Sequence, residues 1–253
     1  MAKIKCVISY DGTNFSGLQI QSRERTIQGE LEKALAKIHK GVYVKVHPSG
    51  RTDKGVHAKA QAVHFESDYN LLPGEWKRAL NAMLPPDIHV NKTEEVSPSF
   101  HARFDVMEKE YRYYILNESE PDVFKHYYVY QYPHTLDIVK MQEAGIYFEG
   151  THDFTTFSSA KASVKGSKVR TLLEVSCHRD GSCIEFVLRG HGFLYNMVRI
   201  IVGSLLEVGR DKLTPEEIPY LFEQKDRQMA GDTVPPQGLY LWNVRYEETE
   251  NSQ

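Results

Sequence analysis

Positions 3 to 10, KIKCVISY, alternate polar and apolar as a half-buried strand does, and the run stops at Asp-Gly, a turn signal. In TIQGELEKALAKIHK the period changes. Ile27, Leu31, Leu35 and Ile38 recur on one helical stripe, and Thr26 is placed to cap the first turn. VYVKVHP and AQAVHFE read as two further strands, Pro73 opens a helix carrying Trp76, Leu80 and Leu84, and DIHVNKTEEV reads as one more strand. After FHARF the pattern starts again with the strand KEYRYYIL and the helix TLDIVKMQEAGIYF. The strands RTLLEVSCH and SCIEFVLRG follow, then the helix NMVRIIVGSLLEVGR, a short helix from Pro215 to about Lys225, and the strand GLYLWNVRY. The order β-α-β-β-α-β and its second round predict an α+β protein of two ferredoxin-like halves, residues 1–105 and 106–253, with mainly antiparallel sheets and helices packed on them.

Composition narrows the class without naming a chemistry. The 253 residues are 41% hydrophobic and 26% charged, ordinary for a soluble globular chain. A net charge of -3 gives no global reason to bind nucleic acid, so an anionic partner must meet a local patch. SSAKASVKGSKVRT, residues 158 to 171, is such a patch: it holds Lys161, Lys165, Lys168 and Arg170 and no acid. Its plainer reading is a solvated flexible loop. The start of the chain turns polar too soon for a signal peptide, and no apolar run approaches the roughly 18 residues of a membrane span, so a cytoplasmic protein with no membrane partner is expected.

Cys6, Cys177 and Cys183 show neither CxxC spacing nor the even count of a disulfide framework and are expected as buried thiols. Cys177 and Cys183 flank HRDGS and could face each other across a hairpin. The eleven histidines form no HExxH or other dense ligand cluster, and His57 and His64, seven apart across a loop and a strand, do not suggest a shared ion. No metal and no small-molecule cofactor are expected.

The stretch richest in chemistry is SGRTDKGVHAKAQAVHF, residues 49 to 65, which sets Asp53 between Arg51 and Lys54 in a loop punctuated by Gly50 and Gly55. An Asp in such a loop is ordinarily a turn former or a cap. Against that, Arg51 can pair bidentately with the carboxylate and hold it ionised, and the glycines let a backbone approach closely. An ionised carboxylate in a cleft is a nucleophile or a base.

SGRTDKGVHA closely resembles the active-site loop of the TruA-type tRNA pseudouridine synthases. YDGTNFSGLQIQ with TIQGELEKAL resembles that family's first strand, loop and helix, and FHARF, KEYRYYI, GFLYNMVRIIVGSLLEVG and GLYLWNVRY resemble its later blocks in the same order. The resemblance covers nearly the whole chain. It implies a pseudouridine synthase-like fold with an active-site cleft between the halves, and an isomerase that converts uridine to pseudouridine in the tRNA anticodon stem-loop, at positions 38 to 40, without a cofactor. It further implies Asp53 as the catalytic aspartate, Arg51 as its arginine partner, Tyr111 as the tyrosine that packs on the target base, Arg199 as an active-site arginine and Leu239 as an apolar residue of the pocket floor. GHGFLYN, residues 190 to 196, would form a lip ahead of the helix carrying Arg199, and a homodimer in which each subunit uses its own site is implied as well. Leu18 and His191 depart from the family's pattern, at positions where an aromatic and a small or amide residue are common.

The residues themselves suit that chemistry. Isomerisation breaks the C1′–N1 bond, turns the uracil and joins C5 to C1′; Asp53 could attack the ribose or the ring, or remove a ribose proton. Tyr111 offers a face for stacking and a phenol for the C5 proton, although a Tyr in an alternating strand is ordinarily core. Arg199, among Met197, Val198, Ile200 and Ile201, either snorkels or meets an anion, whether Asp53 or a phosphate. A stacked uridine must be flipped out at a cost of a few kcal/mol. Lys54, Lys59, His101 and Arg103 of FHARF, with the cations of residues 158 to 171, are the places for phosphate contacts that offset it. Two rivals remain: an RNA-binding module without chemistry, which should lack Asp53, Arg51 or Tyr111, and a glycosidic hydrolase, which should carry a second acid at its site.

Overall fold

The structure, a computed structural model, describes residues 1–159 and 166–247. The chain forms two compact units, Met1–Met107 with the residues from Tyr240 onward, and Glu108–Leu239. The return of the final strand to the first unit is an exchange that order along the chain does not reveal.

In the first unit, β1 (Ala2–Tyr10) lies between β4 (Ile88–Val96) and β3 (His57–Ser67), antiparallel to both. β10 (Leu239–Tyr246) joins the other side of β3 in parallel, Tyr240 opposite His57 and Leu241 opposite Ala58. The alternation of β1 sends Ile4, Cys6, Ile8 and Tyr10 into the core. Helix α1 (Ile27–Ile38) starts at Thr26, whose hydroxyl accepts the Gly29 N–H at 3.2 Å, and buries Ile27, Leu31 and Leu35. Helix α2 (Pro73–Met83) begins with Pro73, and the Glu75 carboxylate reaches back to the Leu72 N–H at 2.8 Å. Its Trp76 is fully buried and meets Phe65 of β3 edge to face at 5.1 Å.

The expected strand VYVKVHP shrinks to β2, His47–Pro48, paired with His64 and Val63. The reason is Glu32, a buried carboxylate on α1. It accepts the Val46 N–H at 3.0 Å and the Tyr43 phenol at 2.9 Å, so the backbone bonds a helix side chain in place of a ladder.

In the second unit the antiparallel order is β5 (Val106–Leu116), β9 (Cys183–Gly190), β8 (Val169–Asp180) and β7 (Gly150–Asp153). Two short strands, β6 (Tyr130–Gln131, parallel to β5) and β7, are additions to the expected set. Helices α3 (Ile138–Ile146), α4 (Met197–Gly209) and α5 (Ile218–Gln224) complete it, with a 3₁₀ turn at Pro215–Glu217 before α5. Thus the α+β class and the mainly antiparallel pairing are as expected. Cys177 and Cys183 do not face each other. Strands β8 and β9 close on a two-residue turn whose Gly181 has φ +57°, which sets Cys183 opposite Asp180 and Cys177 opposite Phe186. Among the described residues no helix is long and apolar enough to cross a membrane.

Candidate active site

In the first unit, residues 49 to 56 link β2 to β3, and the side chains at both ends of the loop are buried. Ser49 donates to Gln61 Oε1 at 2.5 Å, and Gln61 Nε2 donates to the Gly50 carbonyl at 3.1 Å. The Thr52 hydroxyl shares a 2.7 Å hydrogen bond with the Tyr10 phenol. Gly12 N–H lies 3.0 Å from His57 Nδ1, the Asp11 carboxylate lies 3.3 Å from the same nitrogen, and the buried imidazole stacks on Tyr240 at 4.7 Å.

The segment after β1 forms a cradle beneath the loop. Leu18 N–H donates to the Thr52 carbonyl at 3.1 Å and Gly55 N–H to the Phe15 carbonyl at 3.4 Å. Gly17, at φ +93°, passes so close to Thr52 that a Cβ there would sit 2.8 Å from its carbonyl oxygen; a side chain is excluded on both counts. Phe15 is buried beneath the Arg25 guanidinium, 4.1 Å from the ring centre, and Arg25 is held by both oxygens of Asp87 at 2.7 and 2.9 Å. Leu18 is therefore a support of the loop through its backbone, whatever its side chain. On this frame Asp53 accepts the Val56 N–H with its own carbonyl at 3.2 Å and stands half-buried, whereas Arg51 and Lys54 on either side are exposed.

In the second unit, Tyr111 lies in β5 opposite Leu188, 8% exposed, with Phe193 edge to face at 5.0 Å. Phe193 belongs to the lip GHGFLYN, which ends at Asn196 in the left-handed conformation, φ 60°, just before α4. Asn196 tolerates that backbone better than most residues, and its amide oxygen accepts Arg199 Nη1 at 3.1 Å. Arg199 Nε donates to the Val234 carbonyl at 2.6 Å. Leu239, 5% exposed, opens β10 directly after a 3₁₀ turn at Pro236–Gly238.

Of the expected phosphate contacts, Lys54, Lys59 and Arg103 are exposed and His101 is half-buried, all in the first unit. In the second unit Lys168 and Arg170 are half-buried. Arg170 donates to the Ser167 and Val169 carbonyls at 3.0 and 2.6 Å, and a Cβ on Gly192 would lie 3.8 Å from its side chain. Burial holds its pKa below the usual guanidinium range, an environment that favours an added anion. Lys161 and Lys165 lie outside the described residues.

Sequence reading missed a cluster of His47, His64 and His101, whose ring nitrogens lie within 4.8 Å of one another. His47 stacks on His64 at 4.8 Å, and His101 meets His64 edge on at 4.9 Å. With separations of 17 and 37 residues, no motif could have announced it. The backbone defines its chemistry: Ala102 N–H donates to His64 Nδ1 and Arg103 N–H to His101 Nδ1, both at 3.1 Å. On these two rings the proton of the neutral form is thereby placed on Nε2, the reverse of the arrangement a metal-ligating imidazole needs. These rings pin FHARF to β3.

Comparison with known proteins fits this arrangement of blocks. A family model described as tRNA pseudouridine synthase matches residues 6–105 and 144–247, spans that contain Asp53, Arg51, Arg199 and Leu239 and pass over Tyr111. Proteins named tRNA pseudouridine synthase A are similar over almost their whole length. The one from Oceanobacillus iheyensis is 55% identical over 252 residues, covering 100% of both chains. That of a Geobacillus species is 53% identical over 97% of this chain and 98% of its own. That of Anoxybacillus flavithermus is 53% identical over 98% of this chain and 100% of its own. With both of its units matched, the chain belongs to the tRNA pseudouridine synthase family.

Proposed function

We propose that this chain isomerises uridine to pseudouridine in the anticodon arm of tRNA, at positions 38 to 40, with Asp53 as nucleophile or base. The observation that carries the reading is that, of the three charged side chains in the loop, only the carboxylate is half-buried, on a backbone cradled from two sides. A carboxylate so placed meets one ligand from a fixed direction, which is what breaking a glycosidic bond without losing the base requires. The reaction balances within the nucleotide: N1–C1′ breaks, C5–C1′ forms, C5 gives up its proton and N1 ends protonated.

Arg51 holds Asp53 ionised, Tyr111 stacks on the flipped uracil and takes the C5 proton, Arg199 neutralises an anion at the site and Leu239 closes its floor. Lys54, Lys59, His101 and Arg103, together with Lys161, Lys165, Lys168 and Arg170, hold phosphates along the RNA. The active species is a cytoplasmic homodimer. Sedimentation of the purified chain at micromolar concentration tests the dimer, and a monomer would overturn that part alone.

The decisive experiment incubates purified protein with unmodified tRNA and maps pseudouridine by position, with Asp53→Asn beside the parent. Pseudouridine confined to positions 38 to 40, absent with Asp53→Asn while tRNA affinity stays within a few-fold, is the expected result. Turnover by Asp53→Asn would remove Asp53 from the chemistry, and abasic sites in place of pseudouridine would make the protein a hydrolase.

A further inference from the structure

Between α5 and β10 the chain is bound to helix α4 from Gly231 to Val234. Gly203 on α4 gives the chain room: a Cβ there would lie 1.9 Å from the Asp232 carbonyl oxygen, and one on Gly231 would lie 2.5 Å from the backbone of Gly203 and Ser204. Ser204, fully buried, accepts the Gly231 N–H at 3.0 Å and donates to the Ile200 carbonyl at 3.0 Å. Arg227 braces the start of the segment, donating to the Ala230 carbonyl and the Thr233 hydroxyl at 3.2 and 3.0 Å.

Two successive carbonyls then do different things. Val234 accepts from Arg199 Nε at 2.6 Å, and Pro235 accepts from the Tyr113 phenol at 2.7 Å. Arg199 belongs to α4 and Tyr113 to β5, so one peptide unit sets the distance between them. Gly238 lies flat against the Tyr113 ring, where a Cβ would be 2.8 Å from it, and fixes the far end. Tyr111 stands two residues before Tyr113 on the same face of β5, about 7 Å along the strand.

We infer that residues 231 to 238 form a strap that holds Arg199 in register with the Tyr111 strand, and that Tyr113 and Ser204 are positioning residues for Arg199. The inference rests on the proposed roles of Arg199 and Tyr111. A guanidinium whose Nε is committed to a carbonyl and whose Nη1 is committed to Asn196 has lost its rotamer freedom, so its remaining donors point one way. Burial pushes the Tyr113 phenol well above its ordinary pKa and the Arg199 charge opposes this, so the phenol stays a donor and the two side chains feel each other.

The test uses full-length Tyr113→Phe, Ser204→Ala and Arg199→Lys proteins and the double variant Tyr113→Phe with Arg199→Lys. Single-turnover rate, tRNA affinity and urea midpoint are measured for each. Tyr113→Phe keeps the ring and loses one hydrogen bond, and we expect a single-turnover rate about tenfold lower, the equivalent of one such bond, with tRNA affinity within twofold. Ser204→Ala should do the same, and the double variant should be no slower than Arg199→Lys alone. A folded Tyr113→Phe protein with the parent rate, or losses that multiply in the double variant, would overturn the strap while leaving Arg199 in place. Full activity of Arg199→Lys would overturn the role of Arg199 and the strap with it. Should Ser204→Ala fail to fold, Tyr113→Phe decides alone.

Discussion

The Tyr10 phenol and the Thr52 hydroxyl share a 2.7 Å hydrogen bond, and Thr52 immediately precedes Asp53. Both side chains are buried, so neither oxygen has water to fall back on. Tyr10→Phe and Thr52→Val should each cost about 1 kcal/mol of stability, and the pair should cost less than the sum because one bond serves both. Each should also slow pseudouridine formation without weakening tRNA binding. Urea midpoints with single-turnover rates measure this; additive stability losses would show that the two residues act separately.

The histidine cluster predicts an acid limb in stability. Burial pushes the His64 imidazole down to about 4, with His47, His101 and Lys3 adding to the shift and Asp105 opposing it. His47 is likewise lowered, by burial first and then by Lys45, His101 and Lys3, against Glu66. Lowered in the fold, His64 is protonated first in the unfolded chain. Its contribution is therefore complete above the ordinary value near 6.5 and is lost as pH falls from there toward 4. In His64→Gln that limb should flatten, and a Tm profile from pH 7 to 4 identical to the parent's would place the acid sensitivity elsewhere.

The basic residues at and before the start of β8 should be visible in salt dependence. Replacing Lys168 and Arg170 with Ser should weaken all tRNAs alike and lower the slope of log K against log salt by roughly 0.7 to 0.9 for each phosphate no longer neutralised. Adding the same change at Lys161 and Lys165 extends the series. An unchanged slope would return these residues to solvated surface.

Tyr111 separates stacking from packing. Tyr111→Phe should bind tRNA normally and be slow in the step that completes pseudouridine, while Tyr111→Ala should also lose base stacking worth about 1–3 kcal/mol. A fully active Tyr111→Phe removes the proton transfer. An Ala variant whose only defect is a lower Tm, from the cavity left beside Phe193, removes the stacking as well.

What was legible in the sequence is what period and local chemistry encode. The stripe of α1, its Thr26 cap and the alternation of β1 appear where the pattern put them, because each concerns neighbours within a few residues. VYVKVHP misled because its partner is Glu32, a carboxylate fourteen residues before Val46 and on another element. The segment that cradles the Asp53 loop was legible only as a turn at Asp11-Gly12, because the bonds that make the cradle, Leu18 to Thr52 and Gly55 to Phe15, join positions 34 and 40 residues apart. The Gly203-Ser204 pair in an apolar helix has no local explanation. Only the chain that lies on it explains it.

The placement of β10 bears on how the protein is made. The strand that pairs with His57 and Ala58 is synthesised after the entire second unit, more than 180 residues later than its partner. At a ribosome adding about 5–20 residues per second, the His57–Ala58 end of β3 waits on the order of ten seconds or more for its partner strand, while β2 pairs only with Val63 and His64. An open edge invites pairing with other chains, and β3 carries Lys59 exposed near its start, the kind of charge that discourages such pairing. His57, directly after the Asp53 loop, gains its stacking partner Tyr240 only with that last strand. A nascent chain thus has its Asp53 loop long before the loop is backed, which ties the onset of activity to the end of translation.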